Sequence, residues 1–425
     1  MNGPVPKIIF CFESPKTALN LPSAYSFLLQ LKEQGQLDIE WLPIMSLRWL
    51  AGDGECRAIV LRPMWGGKLT REDVKRLLAH STAEHPLFIC TLSSSKSLIA
   101  EDLREGEPRC KVIDGKGGNA DATAELMLWH AISLRRQLHV ELRQLCRGVW
   151  PRNRARVIGS LQGIRWTMLG DGCIPQSLLK MLPGLGVKSV IVWKPHSAKL
   201  AFSETSIPAL FRSGGWKQDE IPALRLPVTL AAGTLCRQRP DTDFLLTLTT
   251  DRDFALSQAD VVSLHLELTE HDKNGRSPTK HSISEAELCC LHKNVVFING
   301  ARAEIVHPSV CCGEPFADSR HFSTDVFPES VEGRDWGSLA ESYETTTDKS
   351  AACKLWKKVM QEEQPRLLIT AHAGGATPDA EDRVAAKVFK DLIRLILVNV
   401  AMRTVVEFKD GREVTRIELA ADPPQ

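Results

Sequence analysis

Apolar positions along the chain recur with two different periods. Residues 7–12 and 58–62 are short apolar runs of strand length, and a third fits residues 87–91. Between and after them, residues 24–34 and 70–80 space their apolar side chains as helices do. This alternation predicts a parallel α/β unit. Residues 121–145 then carry Ala124, Leu126, Met127, Trp129, Ile132 and Leu138 at helical spacing, a length suited to crossing between domains. The basic stretch 147–156, with Pro151 inside it, is the expected hinge.

Beyond the hinge the alternation restarts, with a strand over 166–169, a helix over 176–185 and a strand over 187–193. Further strands fit 260–266, 294–298, 321–327 and 367–370, so the second region is also expected to be doubly wound. Residues 200–250 and 332–364 fit neither period and are expected as insertions. Val384, Phe389, Leu392, Ile393, Leu395 and Ile396 give residues 378–404 the buried face of a helix returning to the first domain. Strands flanking Asp410 and Gly411 predict a closing hairpin. The expected fold class is α/β, as two doubly wound parallel-sheet domains: residues 1–155 completed by 376–425, and residues 156–372.

Composition narrows the partners. A chain of 425 residues exceeds what one hydrophobic core usually organises. With 53 Lys and Arg against 52 acids, the net charge of +1 offers no global field for nucleic acid or an anionic membrane. Arg135, Arg136, Arg143, Arg147, Arg152, Arg154 and Arg156 cluster locally, but no run of aromatics accompanies them for base stacking. No apolar run reaches about 18 residues and no signal-peptide order opens the chain, so a cytosolic (cytoplasmic) protein is expected. Its 12 Cys are dispersed with no CxxC pair, which reads as reduced thiols and predicts no metal site.

The strand over 166–169 runs into Gly170, Asp171, Gly172, Cys173, Ile174 and Pro175. In a dinucleotide site a first glycine permits the tight turn, a second lets the backbone approach the pyrophosphate, and the helix N-terminus favours its charge. An ordinary strand-to-helix turn is the competing reading. A ribose-binding acid is expected near the end of the next strand, yet residues 187–203 contain none. That strand ends instead in Trp193, Lys194, Pro195, His196 and Ser197, a set that suits a 2′-phosphate and favours NADP over NAD as cofactor. The competing reading is a solvated basic loop.

Two later segments complete the pattern. Ile298 to Arg302 places a guanidinium after a buried strand, and Thr370 to Gly375 places His372 beside a glycine pair that lets a ligand approach the backbone. With residues 118–125, with 259–269, and with Asp325, Val326, Phe327 and Pro328, these segments resemble the D-isomer-specific 2-hydroxyacid dehydrogenase family over roughly residues 85–400. The resemblance implies a Rossmann NAD(P)-binding domain inserted in a flavodoxin-like substrate domain, a homodimer, and an oxidoreductase moving hydride between NAD(P)H and a small 2-keto acid. By the same resemblance, Arg302 would hold the substrate carboxylate and carbonyl oxygen, and His372 would protonate the developing alkoxide. Asp325 would bind the nicotinamide carboxamide, with Leu264, His265, Leu266, Gly300, Ala301 and Gly374 lining the cofactor.

The pattern departs from the family at three stations. Pro175 stands in place of a third glycine. Ser93, Ser94 and Ser95, followed by Lys96, replace a glycine-rich substrate-binding turn. Ser330 occupies the place of the glutamate that would partner His372, with Glu329 one residue early and Glu332 nearby as substitutes. An active but divergent enzyme is the first expectation, and a catalytically weak or inactive dinucleotide-binding regulator on the same fold is the alternative.

Overall fold

A computed structural model describes residues 5–11, 24–42, 56–62, 71–93, 108–150, 157–194, 206–217, 234–240, 242–269, 279–307, 310, 320–326, 366–397, 402–409 and 412–419. The chain divides into two compact units, residues 1–120 with 375–425, and residues 121–374.

In the first unit, β1 (Lys7–Phe10), β2 (Asp38–Trp41), β3 (Cys56–Leu61), β4 (Leu87–Thr91) and β5 (Cys110–Asp114) form a sheet in the order β2-β1-β3-β4-β5. Every pairing is parallel. This is the flavodoxin-like strand order. The central strands β1, β3 and β4 are the apolar runs visible in the sequence. β2 and β5 are the sheet's edges, with only some of their positions buried, and so lack such a run.

In the second unit, β6 (Arg165–Leu169), β7 (Ser189–Trp193), β8 (Thr234–Gln238), β9 (Leu245–Thr249), β10 (Val261–Leu264), β11 (Val296–Asn299), β12 (His321–Thr324) and β13 (Leu367–Ile369) form one sheet. Its order is β13-β12-β11-β10-β6-β7-β9-β8. The pairings are parallel except β8, which runs antiparallel to β9 at the edge. The order reverses between β6 and β10, the switch point at whose strand ends open α/β sheets bind ligands. Residues 200–250, expected as an insertion, instead supply β8 and β9 to the sheet.

The helix expected over 121–145 is two helices, Ala120–Arg136 and Leu138–Cys146. They are separated by Gln137, whose φ of 58° cannot continue a right-handed helix. Ala124, Met127, Ala131 and Leu134 pack in the core that holds Trp166, Met168 and Ile298. The first of the two helices therefore belongs to the second unit, and the division falls at residue 120 rather than near 155.

The chain returns to the first unit through helix Pro378–Ile396, which starts with Pro378 at a position that needs no N–H and with Thr377 capping Ala380. Its Ala385, Val388, Phe389, Leu392 and Ile393 pack with Ile8, Phe10 and Phe88. β14 (Met402–Lys409) and β15 (Arg412–Leu419) then pair as an antiparallel hairpin. Among the described residues no helix is long and apolar enough to cross a membrane.

Candidate functional site

Six side chains or turns of interest follow the carboxyl ends of strands in the second sheet. Gly170, Lys194, His265 and Asp325 come directly after β6, β7, β10 and β12, while Arg302 and His372 stand three residues beyond β11 and β13. Parallel strands place them all along one edge.

The two glycines of the first turn differ in what they do. Gly170 has φ of +122°, and a Cβ there would lie 2.9 Å from the His265 carbonyl oxygen, so the crossing of backbones excludes any side chain. Its N–H donates to Trp193 O at 2.8 Å. Gly172 is the N-cap of helix Cys173–Met181, and a Cβ there would meet nothing within 4 Å. Among the described residues no side chain caps this helix, and no acid lies in its first turn, so none of them meets its N-terminal dipole. Cys173 and Ile174 form that first turn together with Pro175, whose missing N–H costs nothing there. Leu178, Leu179 and Leu182 of this helix share a core with Trp166 and Val190. A turn with this bare glycine and uncapped helix end fits a pyrophosphate.

At the end of β7, Trp193 is buried and its indole N–H donates to Thr250 O at 3.1 Å, so the side chain serves the core. Lys194 Nζ pairs with the Asp171 carboxylate at 2.7 Å, a contact the sequence did not reveal. His196 and Ser197 lie outside the described residues.

Leu264 is fully buried, and Leu266 packs beside the same core. Between them, His265 Nε2 lies 2.8 Å from Ser263 Oγ, which also accepts from Trp166 Nε1 at 2.8 Å. The other ring nitrogen, Nδ1, is a buried atom with no partner among the described residues. Burial pushes the His265 imidazole down to about 3.

The loop after β11 is tied by Asn299, whose Oδ1 accepts from Ala301 N at 3.1 Å and whose Nδ2 donates to Arg302 O at 3.0 Å. A Cβ on Gly300 would lie 2.9 Å from Met127 Cε, so this glycine admits the helix Ala120–Arg136. Ala301 is buried, and Arg302 is extended and half-buried, its Nη1 donating to Ala301 O at 2.7 Å.

Asp325 is buried, and three donors converge on its carboxylate. Oδ1 accepts from Thr370 Oγ1 at 2.6 Å and from Ala373 N at 2.8 Å, and Oδ2 from Gly374 N at 2.9 Å. A Cβ on Gly374 would lie 2.9 Å from Oδ2, so only glycine permits this approach. The residue before the clamped pair is His372, exposed and held at φ of 54°, a left-handed conformation costing about 1–2 kcal/mol for a residue with a Cβ. The Asp325 carboxylate thus organises the turn that carries His372.

Sequence reasoning also missed His130. Its ring is buried on helix Ala120–Arg136, with Nε2 at 3.0 Å from Thr370 Oγ1 and Nδ1 hydrogen-bonded to Ser323 Oγ. Burial pushes it down to about 4, so it is neutral near pH 7. The available signal was a titratable residue on the apolar face of a helix.

Ser93, in the first unit, accepts from Gly115 N at 2.9 Å through its carbonyl. Ser94, Ser95 and Glu329 lie outside the described residues. Among the described residues, no cluster of His, Cys, Asp and Glu could hold a metal.

No protein-family model matches the chain. A curated relative, a protein named putative D-3-phosphoglycerate dehydrogenase from Schizosaccharomyces pombe, is 25% identical over 142 residues, or 33% of this chain. The match spans 27% of that relative's length. Solved structures agree along nearly the whole chain. A glyoxylate reductase from Paecilomyes thermophila superposes with a TM-score of 0.63 at 16% identity, covering 93% of this chain and 97% of that one. A D-lactate dehydrogenase from Aquifex aeolicus, complexed with NAD and lactic acid, gives 0.61 at 16% identity, covering 92% and 96%. The fold is that of the D-2-hydroxyacid dehydrogenases.

Proposed function

We propose that this chain is an oxidoreductase that moves hydride between a nicotinamide dinucleotide and a small 2-keto or D-2-hydroxy acid. The observation that carries the reading is the shared edge: an open glycine turn, a guanidinium and a clamped histidine turn follow strands β6, β11 and β13 of one parallel sheet. The fold shared with dehydrogenases that include an NAD complex supports the same reading.

The bare N-terminus of helix Cys173–Met181, with Gly172, would hold the pyrophosphate. The bound dinucleotide supplies or accepts the hydride at its nicotinamide ring. Arg302 offers two parallel N–H donors to the substrate carboxylate, a geometry that lysine lacks. His372 holds the proton that neutralises the alkoxide formed at C2, and takes it back in the oxidation. Asp325 fixes His372 by gripping Ala373 and Gly374. Glu329, the candidate partner of the imidazole, belongs to the same proposal. The exposed Leu142, Leu145, Val149 and Trp150 support a homodimer, which light scattering tests.

Titrating the purified protein with NADH and NADPH, then following their oxidation with glyoxylate, hydroxypyruvate and pyruvate beside a His372→Ala control, tests the reading. Turnover that the control lacks is the expected result. Binding without turnover on any keto acid would instead favour a dinucleotide-binding regulator, and absence of binding would refute both.

A further inference from the structure

We infer that the Asp171–Lys194 ion pair sets the choice between NADH and NADPH, with Asp171 restraining a lysine that would otherwise select a 2′-phosphate. The inference rests on the dinucleotide reading given above.

The two residues belong to adjacent parallel strands, Asp171 to the glycine turn after β6 and Lys194 to the first position after β7. Backbone bonds fix the two ends: Gly170 N donates to Trp193 O at 2.8 Å and Lys194 N to Thr249 O at 3.1 Å. Across this junction Lys194 Nζ and Asp171 Oδ2 meet at 2.7 Å, with side-chain exposures of 20% and 18%. A half-buried pair such as this is screened less than a fully exposed one.

In sheets of this type, the end of the second strand beside the glycine turn receives the adenosine ribose. An acid there accepts from the 2′-hydroxyl and repels a 2′-phosphate, whereas a cation does the reverse. This chain places the cation at the strand end and brings the acid from between the two glycines. Each residue alone would impose a preference. Joined, they oppose each other, and Lys194 can engage a 2′-phosphate only by leaving Asp171, whose carboxylate would then face that phosphate.

Changing the charge of either partner should therefore move selectivity in opposite directions. Asp171→Asn keeps the side-chain shape and an acceptor for Lys194 but removes the negative charge, and should raise the NADPH-to-NADH affinity ratio by about tenfold. Lys194→Met keeps the aliphatic stem and leaves the carboxylate alone at the site, and should lower the ratio by about the same factor. His196, Ser197 and Lys199 are unchanged in both variants, so whatever they contribute cancels in the comparison.

The experiment is a fluorescence titration of the full-length protein and the two variants with NADH and with NADPH, the dissociation constants being compared as ratios. Opposite shifts in the two variants are the expected result. Nucleotide binding with ratios unchanged, or shifted in the same direction, overturns the inference while leaving the dinucleotide reading intact. Failure of the unmodified protein to bind either nucleotide overturns both. Should Asp171→Asn not fold, the Lys194→Met ratio decides alone: a fall sustains the inference and no change refutes it.

Discussion

The buried His130 makes the second unit acid-sensitive by an amount that can be worked out. Its Nε2 faces Thr370 Oγ1, which already donates to Asp325, so Nε2 carries the proton and Nδ1 accepts from Ser323. A second proton would fall on Nδ1, in a fully buried position with no nearby acid hydrogen-bonded to the ring. The folded imidazole is held down to about 4 from an ordinary 6.5. The unfolded chain thus binds a proton that the folded chain refuses as pH falls below 6.5, so folding stability is intact above that pH and declines toward pH 4. Between pH 7.5 and pH 5 the loss attributable to His130 is about 2 kcal/mol. His130→Gln keeps a donor and an acceptor but cannot titrate. Denaturant unfolding of both proteins at the two pH values, followed by tryptophan fluorescence, should show the variant losing about 2 kcal/mol less than the parent on acidification. His265 is present in both proteins and cancels. Parallel losses would refute the assignment of a neutral, buried His130.

Substitutions at five further positions probe the site's construction. Gly170→Ala should cost about 3 kcal/mol through its positive φ and the His265 carbonyl, whereas Gly172→Ala should leave stability within about 0.5 kcal/mol yet weaken dinucleotide binding at least about tenfold. Denaturation and nucleotide titration read the two effects separately, and equal destabilisation would contradict the open space at Gly172. Gly300→Ala should lose about 1–3 kcal/mol by driving a methyl into Met127, and adding Met127→Ala should cost less than the sum of the single changes in a double-mutant cycle. Asp325→Asn should lower kcat by about a hundredfold, since the amide loses the charge that orders Thr370, Ala373 and Gly374; an undiminished kcat would show that the clamp does not position His372.

What the sequence revealed follows from how each feature is encoded. The central strands announce themselves because both faces are buried, as in β4 and β7, where every residue is inside. Edge strands β2, β5 and β8 are partly wet, and their patterns dissolve into the surrounding polar residues. The break at Gln137 was invisible because glutamine is an ordinary helix residue, and its left-handed turn is imposed by the tertiary fold. Residues fixed by local backbone chemistry, such as Gly170 and Gly374, could be placed from motif alone. Pairings across strands could not: Lys194 with Asp171, and His130 with Ser323 and Thr370, join positions whose proximity exists only once the sheet order is known.

The histidine turn shows how such distant pairings fix a local backbone conformation. A left-handed histidine would relax in an isolated peptide, because a cost of about 1–2 kcal/mol exceeds what an exposed turn regains from water. Here the two following N–H groups close on a buried carboxylate that cannot move, since Asp325 N is itself held by Asn299 O at 3.1 Å. Thr370 fills a further site on Oδ1, and its own oxygen is held by His130. Each bond to the Asp325 carboxylate contributes about 1.5–3 kcal/mol, so together they exceed the backbone strain. The anchoring of the turn at Thr370, Ala373 and Gly374 holds the backbone of His372 in place while its side chain stays at the surface.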